Sequence, residues 1–296
     1  MTTSIRALDQ QILDMACAEV GLTAANAEVI RLGENGIYRL AERVVARIAR
    51  TGQDSAAAKE VHVARWLEAA GVPAVQAINV PQPVVVAERA VTFWHELPAH
   101  HHGAPRDVAV ALRRLHDLEP PTTFELPPFA PFVRLAERIQ GASTLADDDR
   151  AWLRQRLDHL QRRYDEMPGG IPHRVIHGDA WAGNVVVTAA DVVLLDLERC
   201  SVGPPEWDLV STAIRYATFG TITATEYAEF VSGYGHDVMA WPGFELFRDM
   251  RELRVTCYAA QRATEQPEAR HEAARRVASL RGLHGPRPWT HWRALS

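Results

Sequence analysis

Residues 174–210, RVIHGDAWAGNVVVTAADVVLLDLERCSVGPPEWDLV, decide how the rest of this chain is read. They set Asp179 five residues before Asn184 and put a second aspartate, Asp196, at the end of the next apolar run. The runs NVVVT and VVLLDLE, separated by the turn AAD, are β-branched and short, the pattern of two brief strands. Phosphoryl transfer from a nucleotide asks little covalent chemistry of a protein. It needs magnesium held by hard oxygen ligands, a carboxylate that orients the attacking hydroxyl, and groups that position the phosphates. Asp179, Asn184 and Asp196 suit the first two tasks: Asp179 and Asn184 flank one loop, and Asp196 would face them from the adjacent strand. His177 reads as a residue that fixes this loop rather than as the base.

Working outward, everything after Pro205 is expected to be mostly helical. Upstream, DDDRAWLRQRLDHLQRRYDEM is predicted helical through Leu153, Leu157, Leu160 and Tyr164, with three aspartates at the positive end of its dipole. DVAVALRRLHDL is predicted helical through Val108, Leu112 and Leu115. Residues 98–106 cross between regions, and the run His100–His102 within them, lacking partners at helical spacing, reads as a solvated loop rather than a metal site. Residues 27–50 and 74–97 are strand-like, the first broken at Gly33–Gly36 and at Ala41–Glu42 as a small antiparallel sheet would be. Between them SAAAKEVHVARWLEAAG predicts a helix with Ser55 as cap and Gly71 as stop. The outline is α+β: a small β-rich N-terminal lobe with one helix, residues 1–97, and a larger, mainly helical C-terminal lobe, residues 98–296, with a hairpin at its centre.

The composition narrows the classes. Of 296 residues, 47% are hydrophobic and 23% charged, the balance of an ordinary globular protein with a sizeable core. Thirty-two cationic residues face 37 acidic ones, for a net charge of −5, which argues against a nucleic-acid-binding face. Lys59 is the only lysine, so the other 31 cations are arginine. Cys17, Cys200 and Cys257 are scattered and odd in number, reading as reduced thiols rather than a zinc site or a disulfide framework. The N-terminus lacks a basic start followed by an apolar run, and no stretch approaches the ~18 apolar residues of a membrane span, so a soluble, cytoplasmic protein, monomer or homodimer, is expected.

The combination of HGDxxxxN, DxE and GPxxxDL resembles the aminoglycoside phosphotransferase and choline kinase-like family of the protein-kinase-like superfamily. The resemblance spans nearly the whole chain. It implies a bilobal protein-kinase-like fold, Asp179 as catalytic base, Asn184 and Asp196 as ligands of Mg2+, and Asp208 as a structural brace of the catalytic loop. It further makes Glu198 a residue near the metal and acceptor. In the N-terminal lobe, the turn Gly33, Glu34, Asn35 and Gly36 would cover the phosphates with its backbone amides. Arg47 stands where the kinase pattern puts lysine, with Arg50 the alternative if the strand register slips. Arginine binds phosphate or carboxylate as a planar fork and is no plain replacement for lysine. Glu60 shares a helix face with Val63, Ala64 and Leu67, so its carboxylate is expected to be buried and to need a partner, for which Arg47 is the candidate.

By the same resemblance, backbone groups of Trp94, His95, Glu96 and Leu97 would meet the purine of ATP or GTP. The helical tail would wall the acceptor site. That tail carries Glu226, Glu229, Asp237, Glu245, Asp249 and Glu252. These acids read either as a solvated helix face or as a wall for a polycationic acceptor such as an aminoglycoside, while Trp207 and Trp241 read as core. The expected function is transfer of the γ-phosphate of ATP or GTP to a hydroxyl of an antibiotic-type acceptor. The alternatives are a metabolic kinase of a sugar, amino sugar or amino alcohol, or a pseudokinase binding module. A protein kinase is disfavoured, because only a dozen residues separate DLE from GPPEWDL, too few for an activation segment.

Overall fold

A computed structural model describes residues 7–33 and 35–293. Its elements run α1 (Ala7–Glu19), β1 (Glu28–Leu32), β2 (Gly36–Arg39), β3 (Val44–Ile48), α2 (Asp54–Ala69), β4 (Val84–Val86), β5 (Arg89–His95) and β6 (His100–His102). There follow α3 (Pro105–His116), α4 (Leu135–Gly141), α5 (Asp147–Asp165), β7 (Arg174–Ile176), β8 (Val185–Thr188), β9 (Val192–Leu194) and β10 (Ser201–Gly203). The chain ends in α6 (Glu206–Ala217), α7 (Ala224–Tyr234), α8 (Phe244–Glu265) and α9 (Arg270–Leu280). The fold is α+β, an antiparallel N-terminal sheet followed by a mainly helical region. No described helix is long and apolar enough to cross a membrane.

The chain divides into two compact units. The first comprises residues 1–103, 117–126 and 182–200. Its larger sheet is antiparallel throughout, in the order β1-β2-β3-β5-β4. On β3, Val44, Ala46 and Ile48 are buried against the core while Val45 and Arg47 project to the other face, the period-2 alternation that fixes which arginine is available. Arg47 is paired in register with Ile37 and Thr92, whereas Arg50 lies beyond the strand. The core face is covered by α1, whose Ile12, Leu13, Ala16 and Cys17 meet Tyr38, Ala46, Ile48, Val91 and Phe93. Tyr38 donates from its buried hydroxyl to Asp9 at 2.6 Å, and Asp9 is ion-paired with Arg89 at 2.6 Å. The Tyr38 ring lies so close to Gly36 that a Cβ there would come within 2.7 Å of it, so glycine at the start of β2 is a packing requirement.

Three expectations are corrected in this unit. Helix α2 is capped at Gln53 and begins at Asp54, so Ser55 is already inside the helix, though the stop at Gly71 (φ +71°) stands. His100–His102 is a strand rather than a loop: it pairs antiparallel with β8, making a three-stranded sheet β6-β8-β9. Neighbouring histidines on a strand face opposite ways, so the triplet does not form one cluster, and among the described residues no three His, Cys, Asp or Glu side chains are grouped as metal ligands. Asp196 is not on a strand. It follows β9 in the left-handed region (φ 57°, ψ 64°) and opens a 3-10 turn, Leu197–Arg199. The same unit buries Cys17 and Cys200 in free form.

The second unit comprises residues 104–116, 127–181 and 201–296. Here β7 pairs with β10, α3 packs on α7, and α8 runs among α4, α5, α6 and α9. Trp207, Phe247, Leu112, Leu115, Leu135 and Phe230 fill its centre, and Trp241 is buried with them. The acids of the tail are neither a solvated face nor a uniform wall. Asp249 is buried among Arg156, Arg163, Arg248 and Arg287, and Glu252 is fully buried against Arg287 and the Thr218 hydroxyl. Glu226 closes the capping box of α7 with Thr223, and Asp237 caps a 3-10 turn while accepting from Tyr227. Only Glu229 and Glu245 of the six are plainly exposed.

Candidate active site

In the first unit, candidate site side chains gather around Arg47. Its Nη1 donates to Glu60, which α2 delivers from its buried face, and its Nη2 donates to Glu198 at 2.8 Å. With its amide oxygen turned to the guanidinium, Asn35 accepts from Nη2 at 2.6 Å and from Nε at 3.0 Å. One fork thus spans the hairpin turn, the helix and the segment after Asp196. Gly33 N–H closes the turn onto the Asn35 carbonyl at 3.2 Å; Glu34 lies outside the described residues. Asn35, Arg47, Ala49, Glu60, Thr92 and Glu198 line a small pocket here. Burial works against the charge on Arg47, but Glu60, Glu198 and Asp196 outweigh it and hold the guanidinium above its ordinary pKa.

Glu60 feels the opposite balance. Burial pushes its carboxyl up to about 7, Arg47 opposes this, Asp196 and Glu198 add to it, and the Leu197 amide hydrogen-bonds to the carboxylate. The folded chain therefore holds this proton more tightly than the unfolded chain, whose glutamate sits near 4.5. Between about pH 4.5 and pH 7 the folded state binds more protons, so raising the pH through that window removes stability contributed by this group. E60Q lacks the titration. Its unfolding midpoint should gain on that of the wild type across the window, and a constant difference would rule out the shift.

The two candidate metal ligands lie on facing arms of the β8-β9 hairpin. Asn184 directly precedes β8, and its carbonyl accepts from the Leu195 amide at 2.9 Å, one residue before Asp196. A non-glycine residue held left-handed is strained by about 1 kcal/mol or more and persists where its surroundings impose it. Lys59, the only lysine, does not join the Arg47 cluster as a replacement: its ammonium donates to the Cys200 carbonyl at 3.2 Å, and burial lowers its pKa. In the segment expected to meet the purine, two amides are already engaged, that of His95 with the Gln76 carbonyl at 2.9 Å and that of Glu96 with the Arg43 carbonyl at 2.7 Å. Trp94 is buried and its indole donates to Thr92.

In the second unit a separate network grips residues 177–179. Asp208, fully buried on the first turn of α6, accepts from the His177 amide at 2.6 Å and the Gly178 amide at 2.9 Å. Burial would raise the Asp208 carboxyl, but the hydrogen bond and charge of His116, with His177 and Arg251, hold it below the usual carboxylate range. His116 reaches Asp208 at 3.2 Å with Nε2 and the Tyr234 hydroxyl at 2.8 Å with Nδ1. The Gly178 carbonyl accepts from the Trp207 indole at 3.0 Å. Gly178 sits at φ +82°, a conformation in which a side chain would be strained, so the sharp turn presenting Asp179 needs glycine. His177 is buried and its Nδ1 accepts from the Asp179 amide at 3.3 Å. The Asp179 carboxylate, 42% exposed, projects from this otherwise buried loop.

Sequence reading missed the Asn35 side chain, His116, Tyr234 and Arg251. Asn35 was readable only as part of a turn backbone, and the other three lie on helices where nothing in their spacing distinguishes them from core or surface positions.

The sequence profile of the phosphotransferase enzyme family matches residues 23–254. The chain belongs to that family. It is accordingly an enzyme, a phosphotransferase. No curated protein matches it in sequence. Among solved structures, this phosphotransferase is similar to an amicoumacin kinase in complex with AMP-PNP and Ca2+, at 13% identity and a TM-score of 0.73, over 96% of each chain. It is also similar to a spectinomycin phosphotransferase in complex with ADP and spectinomycin, at 14% identity and a TM-score of 0.67, over 98% of each chain. A choline/ethanolamine kinase family protein from Mesorhizobium loti matches at 18% identity and a TM-score of 0.62, over 92% of this chain and 93% of that one. At such identities the likeness speaks for the fold, which is that of the kinase-like proteins.

Proposed function

We propose that this phosphotransferase moves the γ-phosphoryl group of ATP or GTP to a hydroxyl of a small, antibiotic-type acceptor. The observation that carries the reading is the grip on residues 177–179: Asp208 and the Trp207 indole hold the backbone at Gly178, whose left-handed turn presents the 42% exposed Asp179 carboxylate for a hydroxyl to meet. In the reaction the acceptor oxygen forms a bond to phosphorus, the bond from phosphorus to the bridging oxygen of the nucleoside diphosphate breaks, and the hydroxyl proton passes to Asp179.

Asn184 and Asp196 offer an amide oxygen and a carboxylate oxygen, hard donors of the kind magnesium takes, and the backbone bond between Asn184 and Leu195 keeps them on adjoining arms. They would hold the metal, which when bound neutralises phosphate charge. Arg47, held by Glu60, Glu198 and Asn35, is the phosphate-positioning cation, and the Gly33–Gly36 turn supplies backbone amides. In the segment Trp94–Leu97 the Leu97 amide is the donor offered to the purine, since those of His95 and Glu96 are engaged. Residues 1–97 then serve the nucleotide and residues 98–296 the chemistry and the acceptor.

Burial of Asp249 and Glu252 against arginine leaves little acid for a polycation, and this favours, as the second reading, a neutral or singly charged acceptor such as a sugar or amino alcohol. The test is incubation with ATP or GTP, Mg2+ and a panel of hydroxylated antibiotics, sugars and amino alcohols, read as a mass gain of one phosphate. Phosphorylation of an antibiotic alone is the expected result. Phosphorylation of a sugar or amino alcohol alone selects the second reading, and no product with any acceptor overturns both.

A further inference from the structure

Helix α8 carries an arginine that neither motif nor spacing singles out. Arg251 is 6% exposed, and its guanidinium lies over the Trp207 indole, 3.9 Å from the ring centroid. From there Nη2 donates to the Trp207 carbonyl at 2.9 Å and to the Gly178 carbonyl at 3.4 Å, while Nη1 stands 3.7 Å from Asp179 Oδ1. Gly178 is thus held through both of the peptide groups that flank it, its N–H by Asp208 and its C=O by Trp207 and Arg251, and the same arginine reaches the projecting Asp179 side chain. A planar fork can make these contacts at once; an ammonium cannot.

We propose that Arg251 is a positioning residue for phosphoryl transfer: it steadies Oδ1 of Asp179 so that Oδ2 faces the acceptor hydroxyl. This rests on the reading of Asp179 as the group that takes the hydroxyl proton. Orientation of a reacting group to within an ångström or so is worth about 10²-fold in rate, so losing the fork shows in turnover rather than in nucleotide affinity. Burying a guanidinium against an indole also stabilises packing, and the test must separate the two contributions.

R251M keeps an unbranched side chain of comparable length on the indole and removes the fork. It is expected to lower kcat by about 10 to 10²-fold while leaving the nucleotide Kd within about twofold, and R251K, which keeps the charge without the fork, is expected to fall between R251M and the wild type. The double variant D179N/R251M is expected to be no slower than D179N, because a residue acting through Asp179 has nothing left to orient. Wild-type kcat in R251M, or an equal further loss on the D179N background, overturns the proposal while leaving the role of Asp179 intact. Wild-type kcat in D179N instead sinks the reading on which it rests. Should R251M fail to fold, R251K decides: a lower kcat at unchanged nucleotide Kd supports the proposal, and a wild-type kcat overturns it.

Discussion

D179N is expected to lower turnover by about 10² to 10⁴-fold, the usual contribution of a positioned general base, with nucleotide affinity nearly unchanged. Asparagine is isosteric and keeps a carbonyl oxygen, but it cannot take the proton from the acceptor hydroxyl. The backbone around it should move little, because Asp208, Trp207 and Arg251 grip His177 and Gly178. Thermal unfolding should therefore stay close to that of the wild type. Comparing kcat with nucleotide Kd by titration calorimetry checks the split: unchanged turnover removes Asp179 from the chemistry, and loss of nucleotide binding moves its role elsewhere.

R47A is expected to be the most damaging substitution in the first unit. The guanidinium is the shared partner of Glu60 and Glu198 and also donates to the Asn35 side-chain amide oxygen. Removing it leaves Glu60 buried without its counter-ion, at a cost of about 3–5 kcal/mol for breaking a buried pair from one side. Protonation of Glu60, already displaced toward neutral pH, recovers part of that loss, so the variant should be less impaired at pH 6 than at pH 8. Nucleotide should be needed at about 10 to 10²-fold higher concentration, the worth of one charge-assisted hydrogen bond to a phosphate. R47K is expected to restore the charge without bridging Glu60, Asn35 and Glu198 together, giving an intermediate requirement. A nucleotide requirement unaltered in R47A would transfer the phosphate role to another cation, Arg50 being the nearest on the chain.

The arginine-rich composition bears on both results. A lone lysine at position 59 makes arginine the phosphate cation to expect from the sequence, and in the structure Lys59 is engaged elsewhere, at the Cys200 carbonyl. What a fork adds over an ammonium is visible at Arg47 and again at Arg251, each of which reaches more than one element.

By itself the sequence determined those features that rest on local chemistry. Alternation along residues 44–48 and the glycines of the 33–36 turn wrote the hairpin and the strand of Arg47, and the apolar stripe of α2 put Glu60 on its inner face. The motifs that hold Asp179, Asn184, Asp196 and Asp208 carried the resemblance to the kinase-like family, because they lie along one short stretch of chain. Tertiary structure alone decided whatever depended on partners distant in sequence. His100–His102 became a strand because β8, more than eighty residues later, offered its edge. Asp249 and Glu252 were buried rather than solvated because arginines from α5, α8 and the segment before Trp289 converge on them. Arg251 was chosen from the several arginines of α8 by the packing of that helix on α6, which sets its guanidinium on Trp207 and within reach of Asp179. A helical period places a residue on a face; which neighbour that face meets is fixed only when the helices pack, and that contact is what turns an arginine into part of a site.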